Sequence, residues 1–238
     1  MARSKDPPPK AGVMASGGEY ARDSATQRGA AAIGFDLIAS AIETADLGAG
    51  DAPLLIADFG AAQGTDSLEP IRLALDALGR RSDGRPVLCV HTDIPGNDFT
   101  TLCETLEESP DSYVRDHPEA LALMAGRSLF GRCLPAGQLR FGWTASTLHW
   151  LSSAPGPVAG HFFVQLSDDA DARRAYAARS AHDWRAFLDG RAAELAPGAA
   201  VVIEDVAMDG DGVMGSEELF NRLNDALLEL GEKRLLSA

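Results

Sequence analysis

The sequence predicts an α/β fold built on a doubly wound, mostly parallel sheet, with one helix placed ahead of the first strand. Three observations carry this reading: short apolar runs that suit buried parallel strands, amphipathic segments between them, and acidic or glycine-rich turns directly after strands. Leu54-Leu55-Ile56-Ala57 is such a run and leads into Asp58-Phe59-Gly60-Ala61-Ala62-Gln63-Gly64. Pro86 to Val90 is a second and leads into His91-Thr92-Asp93-Ile94-Pro95-Gly96-Asn97-Asp98-Phe99. An acid and a tight turn thus stand at a strand's C-terminal end, where open α/β sheets bind ligands.

Taken in order, Ile33, Leu37, Ile38 and Ile42 recur at helical spacing and predict a helix over about Ser24 to Ala45. Strand one follows at Leu54–Asp58, then a helix over Ser67–Leu78 with Leu68, Ile71, Leu75 and Leu78 on one face. Strand two spans Val87–His91 and precedes a helix over Phe99–Leu106, with Asp98 as its N-cap. Residues 107–138 read as irregular, with either a short strand or a helical turn near Leu121–Met124. Gln138–Thr144 is the next strand. An alanine- and arginine-rich helix over Ala170–Leu195 ends at Pro197-Gly198. A strand over Ala200–Val206 and a helix over Glu217–Leu230 complete the pattern.

The 238 residues suffice for one α/β domain with a substantial core. Lys and Arg number 21 against 35 Asp and Glu, a net charge of −14, so the summed field repels polyanions. Neither nucleic acid nor an anionic membrane is therefore an expected partner; a small molecule is. Cys89, Cys103 and Cys133 show no paired spacing and lie in or beside apolar runs, which fits buried reduced thiols in a cytoplasmic protein. Residues 1–18 are rich in Pro, Gly, Lys and Ser and read as a flexible tail, with the domain over 19–238. No apolar stretch approaches the roughly 20 residues of a membrane span.

Six segments in a fixed order give the sequence a family resemblance. They are Tyr20-Ala21-Arg22-Asp23-Ser24-Ala25-Thr26-Gln27, Ala57-Asp58-Phe59-Gly60, Asp93-Ile94-Pro95-Gly96-Asn97-Asp98-Phe99, Ser128-Leu129-Phe130-Gly131-Arg132 with Pro135, Leu148-His149-Trp150-Leu151-Ser152, and Phe187-Leu188 with Arg191 and Glu194-Leu195. Together they resemble the salicylate/benzoate/theobromine (SABATH) carboxyl methyltransferases, in particular their shorter bacterial members. The resemblance implies a Rossmann-like class I methyltransferase with a partial helical cap, S-adenosyl-L-methionine as cofactor, and methyl transfer to the carboxylate of a small acid. A homodimer is left open. Such proteins continue beyond the fifth strand into a hairpin and the rest of a cap, so the chain reads as shortened at its C-terminus.

The resemblance also assigns roles. Tyr20, Ser24, Asp58, Gly60, Gly64, Asp93, Ile94, Ser128 and Leu129 fall in the cofactor pocket, with Asp93 as the acid that accepts hydrogen bonds from the ribose diol. Asp58 to Gly64 is a degenerate acidic glycine loop, with Ala62 where a middle glycine is common; glycine suits positive φ and close backbone approach. Leu129 stands where the family has a phenylalanine beside adenine and offers less stacking area. Gln27 and Trp150 are the expected acceptor-binding donors, since neutral amide and indole N–H groups hold a carboxylate without blunting its nucleophilicity. His149 and Ser146 join them in the acceptor pocket; Ser146 replaces the tyrosine common there and implies a wider or differently shaped site. No residue is assigned a catalytic proton transfer, because a carboxylate is already ionised at neutral pH.

Asp209-Gly210-Asp211-Gly212 has the look of a calcium loop, but Ala207 and Ser216 occupy positions where oxygen ligands are needed, so it reads as a turn. The five histidines lack metal-ligand spacing, and no metal is expected. Two other readings stay open from the sequence: a shortened non-catalytic relative acting as a binding or interaction protein, and a small-molecule N-methyltransferase.

Overall fold

The structure is a computed structural model that describes residues 29–81, 84–212, 214–233 and 235. The tail predicted over 1–18 and the segment Tyr20 to Gln27 lie outside these residues. The described residues cluster into two compact units. One comprises the residues up to Trp150 together with Trp184–Asp205, and the other Leu151–Asp183 together with the residues from Val206 onward.

The first unit holds five parallel strands, β1 (Leu54–Phe59), β2 (Val87–Asp93), β3 (Ala120–Gly126), β4 (Leu139–Ala145) and β5 (Leu195–Glu204), in the order β3-β2-β1-β4-β5. The chain moves outward from β1 through β2 to β3 and then returns to place β4 on the other side of β1. The crevice at the carboxyl ends of β1 and β4 is thus the topological switch point, where such sheets bind ligands.

Leu54 and Ile56 of β1, Val87 and Cys89 of β2, Phe141 and Trp143 of β4 and Val202 of β5 form one buried layer with four helices. These are α1 (Phe35–Thr44), α2 (Leu68–Gly79), α3 (Phe99–Glu108) and α4 (Tyr113–Asp116). Leu68, Ile71, Leu75 and Leu78 of α2 are all buried, as their spacing predicts. In α1 the inward face is narrower than predicted. Ile38 and Ile42 are fully buried, whereas Leu37 stays exposed, as does Ile33 in the 3-10 turn Ala32–Gly34 that precedes α1. Asp98 caps α3, its carboxylate accepting from the Thr101 N–H at 3.1 Å.

Two predicted boundaries need correction. Residues 107–138 are not irregular throughout, since they contain α4 and the complete edge strand β3, which pairs with β2 from Val87↔Ala120 to Asp93↔Gly126. The fifth strand starts at Leu195 rather than Ala200 and ends at Glu204 rather than Val206. Pro197-Gly198 sits in a bulge, with Gly198 at φ +74°, where the register moves from Leu139↔Leu195 to Phe141↔Ala200. Strand pairing therefore survives residues that read locally as a stop.

The long helix α5 (Ala170–Glu194) contributes its first part to the second unit and its last part to the first. The second unit also holds α6 (Glu217–Glu232). Phe220 of α6 meets Phe163 and Phe162 with ring centroids 4.5 and 5.9 Å apart, and the Asn224 carboxamide accepts from the Phe162 N–H at 3.1 Å. In the same unit, Asp183 of α5 accepts from both the N–H and the hydroxyl of Ser152, each at 2.8 Å. The 209–212 segment forms a turn closed by Gly212 N–H to Asp209 O at 3.0 Å. Among the described residues no helix is long and apolar enough to cross a membrane.

Candidate active site

The turn after β1 is shaped by what lies beside it. The carbonyl of Thr92, near the end of β2, accepts from the N–H groups of both Gly60 and Ala61, at 2.8 and 3.0 Å. Gly60 has φ +88°, and a Cβ there would stand 2.3 Å from Cγ2 of Thr147, the residue that opens the segment after β4. Only glycine permits that approach. The glycine loop and the Thr147–Trp150 segment, expected to serve cofactor and acceptor respectively, therefore meet at the switch point.

Asp93 closes the loop from the other side. Its Oδ2 accepts from the Ala62 N–H at 2.8 Å and its Oδ1 from the Ile94 N–H at 2.7 Å. Asn97 Nδ2 donates to the Ala62 carbonyl at 2.6 Å. Burial pushes the Asp93 carboxyl above the usual carboxylate range, the two backbone N–H groups pull it down, and the nearby Asp58 charge adds to the rise. Each carboxylate oxygen offers two acceptor positions, so these backbone bonds leave one on each oxygen, a match for the two hydroxyls of a ribose diol.

Ala62 adopts φ +46°, so the position where a glycine is common does require the left-handed region. Ala62→Gly is expected to stabilise the protein by about 0.5–1 kcal/mol, the strain relief net of glycine's greater unfolded-state entropy. Urea denaturation midpoints of the two proteins check this.

Asp58 serves the loop from beneath. It is buried, accepts from the Ser67 hydroxyl, and lies 3.3 Å from Nδ1 of His91, whose Nε2 is 2.7 Å from the Tyr113 hydroxyl. Burial raises the Tyr113 hydroxyl well beyond its ordinary range, and burial pushes the neighbouring Cys89 thiol up to about 12. This buried chain ties the floor of the loop to the start of α2 and to α4.

Ser128 and Leu129 stand beyond β3 on a segment fastened to α5. Arg191 donates to the carbonyls of Leu129 and Gly131 at 2.9 and 2.8 Å and forms an ion pair with Glu194 at 2.8 Å. Glu194 in turn accepts from the N–H groups of Cys133 and Leu134 at 2.5 and 2.9 Å. Both charged side chains are almost fully buried, and the guanidinium lies 4.2 Å above the Phe59 ring. The sequence marks Arg191 and Glu194 only as part of a matching segment; the fold shows what they hold.

The acceptor segment has an anchor of its own, Asp205, which sequence reasoning missed. Its Oδ2 accepts from the N–H groups of Thr147 (3.0 Å) and Leu148, and its Oδ1 lies 3.0 Å from Nδ1 of His149. Ser146 takes φ +49°, and its hydroxyl is 3.5 Å from Oε2 of Glu204. Burial and the neighbouring Asp205 charge raise the Glu204 carboxyl above its usual range. Trp150 is 44 % exposed, so it is no core residue, and its ring lies 5.8 Å from the His149 ring. The available signal was an acidic pair at the carboxyl end of a parallel strand. Tyr20, Ser24 and Gln27 fall outside the described residues.

A five-stranded parallel sheet in this order, with an acid at the end of β2 facing a glycine loop after β1, is a Rossmann-like arrangement, the one on which class I S-adenosylmethionine-dependent methyltransferases are built. A solved structure of loganic acid methyltransferase with S-adenosylhomocysteine shares that fold at a TM-score of 0.76, with 22% sequence identity, over 92% of this chain and 66% of that one. The sequence matches the family of SAM-dependent carboxyl methyltransferases over residues 11–237, and the chain belongs to that family. Among curated relatives, jasmonate O-methyltransferase of Arabidopsis thaliana is 27% identical over 215 residues, 77% of this chain and 55% of that protein. The probable jasmonic acid carboxyl methyltransferase 2 of Theobroma cacao is 27% identical over 206 residues, 77% of this chain and 54% of that protein. The chain spans about half the length of these relatives.

Proposed function

We propose that this chain supports transfer of a methyl group from S-adenosylmethionine to a carboxylate oxygen of a small acid, giving a methyl ester. The observation that supports the reading is the close approach of Gly60 to Thr147, which brings the glycine loop beside the segment that carries Trp150. Family membership and the jasmonate relatives support the acid as acceptor.

The cofactor supplies a methyl group on a positively charged sulfur. Asp93 would take the ribose, the Gly60–Gly64 turn the neighbouring backbone contacts, and Ser128 and Leu129 the adenine side. Ser24 and Tyr20 join them by family resemblance. Gln27 and Trp150 would present neutral donors to the acid, orienting one carboxylate oxygen without neutralising it. The chain's task is alignment and exclusion of water, which is worth up to roughly 7–11 kcal/mol when reacting atoms are held in line. Cys89, Cys103 and Cys133 are all free thiols, which fits the cytoplasm as the working compartment.

The test is to incubate the protein with methyl-labelled S-adenosylmethionine and a panel of small aromatic and aliphatic acids, reading base-labile label in the product. Ester formation from at least one acid is expected, and a folded protein that transfers no label to any of them contradicts the proposal. With an acid in hand, Trp150→Phe should lower kcat/KM by about tenfold to a hundredfold, the effect of one lost hydrogen bond to a charged group. A parental rate in that variant would remove the indole from the acceptor site.

A further inference from the structure

Ester formation requires no base, yet the acceptor segment carries the geometry of one. Asp205 Oδ1 sits 3.0 Å from His149 Nδ1, while Oδ2 of the same carboxylate fixes the Thr147 and Leu148 N–H groups, so the imidazole is held by a carboxylate that is itself immobilised. When Nδ1–H donates to Asp205, the neutral ring has its lone pair on Nε2. Nε2 has no hydrogen-bond partner among the described residues, and the His149 side chain is 43% exposed against 14% for Asp205. The orienting acid is therefore sheltered and the imidazole partly exposed, beside Trp150. The acidic groups placed against the ring are Asp205 and Glu204, both from the end of β5.

We propose that Asp205 and His149 form a proton-accepting dyad that extends the acceptor range to an aromatic hydroxyl, a group that carries its proton at neutral pH. The inference rests on the methyl-transfer reading above. A phenol with an ordinary pKa near ~10 is a poor nucleophile unless a positioned base takes its proton. In the dyad the O–H bond breaks and its proton passes to His149 Nε2, while the electron pair stays on oxygen. That oxygen forms the bond to the methyl carbon of the sulfonium donor, and the carbon–sulfur pair returns to sulfur. Asp205 stabilises the imidazolium, which then releases its proton to solvent.

Two measurements on the full chain test this. In the first, a nitrophenol whose phenolate absorbs in the visible is titrated into the protein without donor, at a pH where the free compound is mainly protonated. The parent should develop the phenolate band on binding, and His149→Gln should bind without developing it. In the second, benzoic acid and phenol are compared as methyl acceptors. Asp205→Asn and His149→Gln should each lower the ratio of phenol to benzoate methylation by about tenfold to a hundredfold, the scale of a lost general base. The carboxamide introduced by Asp205→Asn can still accept from the Thr147 and Leu148 N–H groups, so a purely structural role would leave that ratio unmoved. An unchanged ratio in both variants, or a parent that methylates benzoate but not phenol and binds the nitrophenol in its neutral form, overturns the dyad. Transfer to phenol without transfer to any acid would instead uphold the dyad and overturn the carboxyl reading.

Discussion

Arg191→Leu is expected to cost about 3–5 kcal/mol of folding stability, the range for removing one partner of a buried ion pair. Arg191 and Glu194 are 2% and 0% exposed, so neither charge has water to fall back on. The guanidinium also donates to the carbonyls of Leu129 and Gly131 and lies over the Phe59 ring, contacts that leucine replaces only in bulk. Among the described residues, what remains is a buried Glu194 carboxylate compensated by the N–H groups of Cys133 and Leu134. The cost should appear as a lower urea midpoint at unchanged slope. Replacing Arg191 and Glu194 together by apolar residues should cost less than Arg191→Leu and Glu194→Leu added, because no uncompensated charge is left. A loss below about 1 kcal/mol in the single variant, the size of an exposed pair, would mean that the pair does not fasten the Ser128–Leu134 segment.

Asp93→Ala should weaken S-adenosylhomocysteine binding by about 1.5–3 kcal/mol, the range for hydrogen bonds to a charged group. The same side chain pins Ala62 and Ile94, so part of the loss will come from a loosened glycine loop. Asp93→Asn weakens both contributions without removing the side chain. Its carboxamide oxygen can still accept one backbone N–H, but its NH2 meets the other as a second donor, so a diol contact should fail while the fold persists. Calorimetry on the folded variants gives both affinities, and parental affinity in Asp93→Ala would remove Asp93 from the cofactor site.

β1 and the first part of β2 were legible as apolar runs buried on both faces, and β4 from Leu139, Phe141 and Trp143 alternating along one face. β3 was harder to read: Ala120–Gly126 is alanine-rich, and as an edge strand it leaves Leu121 and Leu123 exposed, so burial imposes no pattern on it. The fifth strand was misjudged because Pro197-Gly198 is a local stop that long-range pairing with β4 overrides through a bulge. The site divides in the same way. Asp93, Gly60 and Trp150 announce themselves by position within short motifs. Asp205 and His149 lie 56 residues apart and meet only because β4 and β5 are neighbours in the sheet. Arg191 reaches Leu129 across 62 residues for a similar reason, with α5 leading directly into β5.

The proposed cofactor site lies at the carboxyl ends of β1 and β2, with the segment after β3. Hydrogen–deuterium exchange with and without saturating S-adenosylhomocysteine tests this placement, because it reads backbone amides segment by segment. Slowed exchange is expected over 60–66, 93–98 and 127–132, with α2 and α6 little changed. Binding without protection of the first two segments, or protection confined to other parts of the chain, would contradict the account.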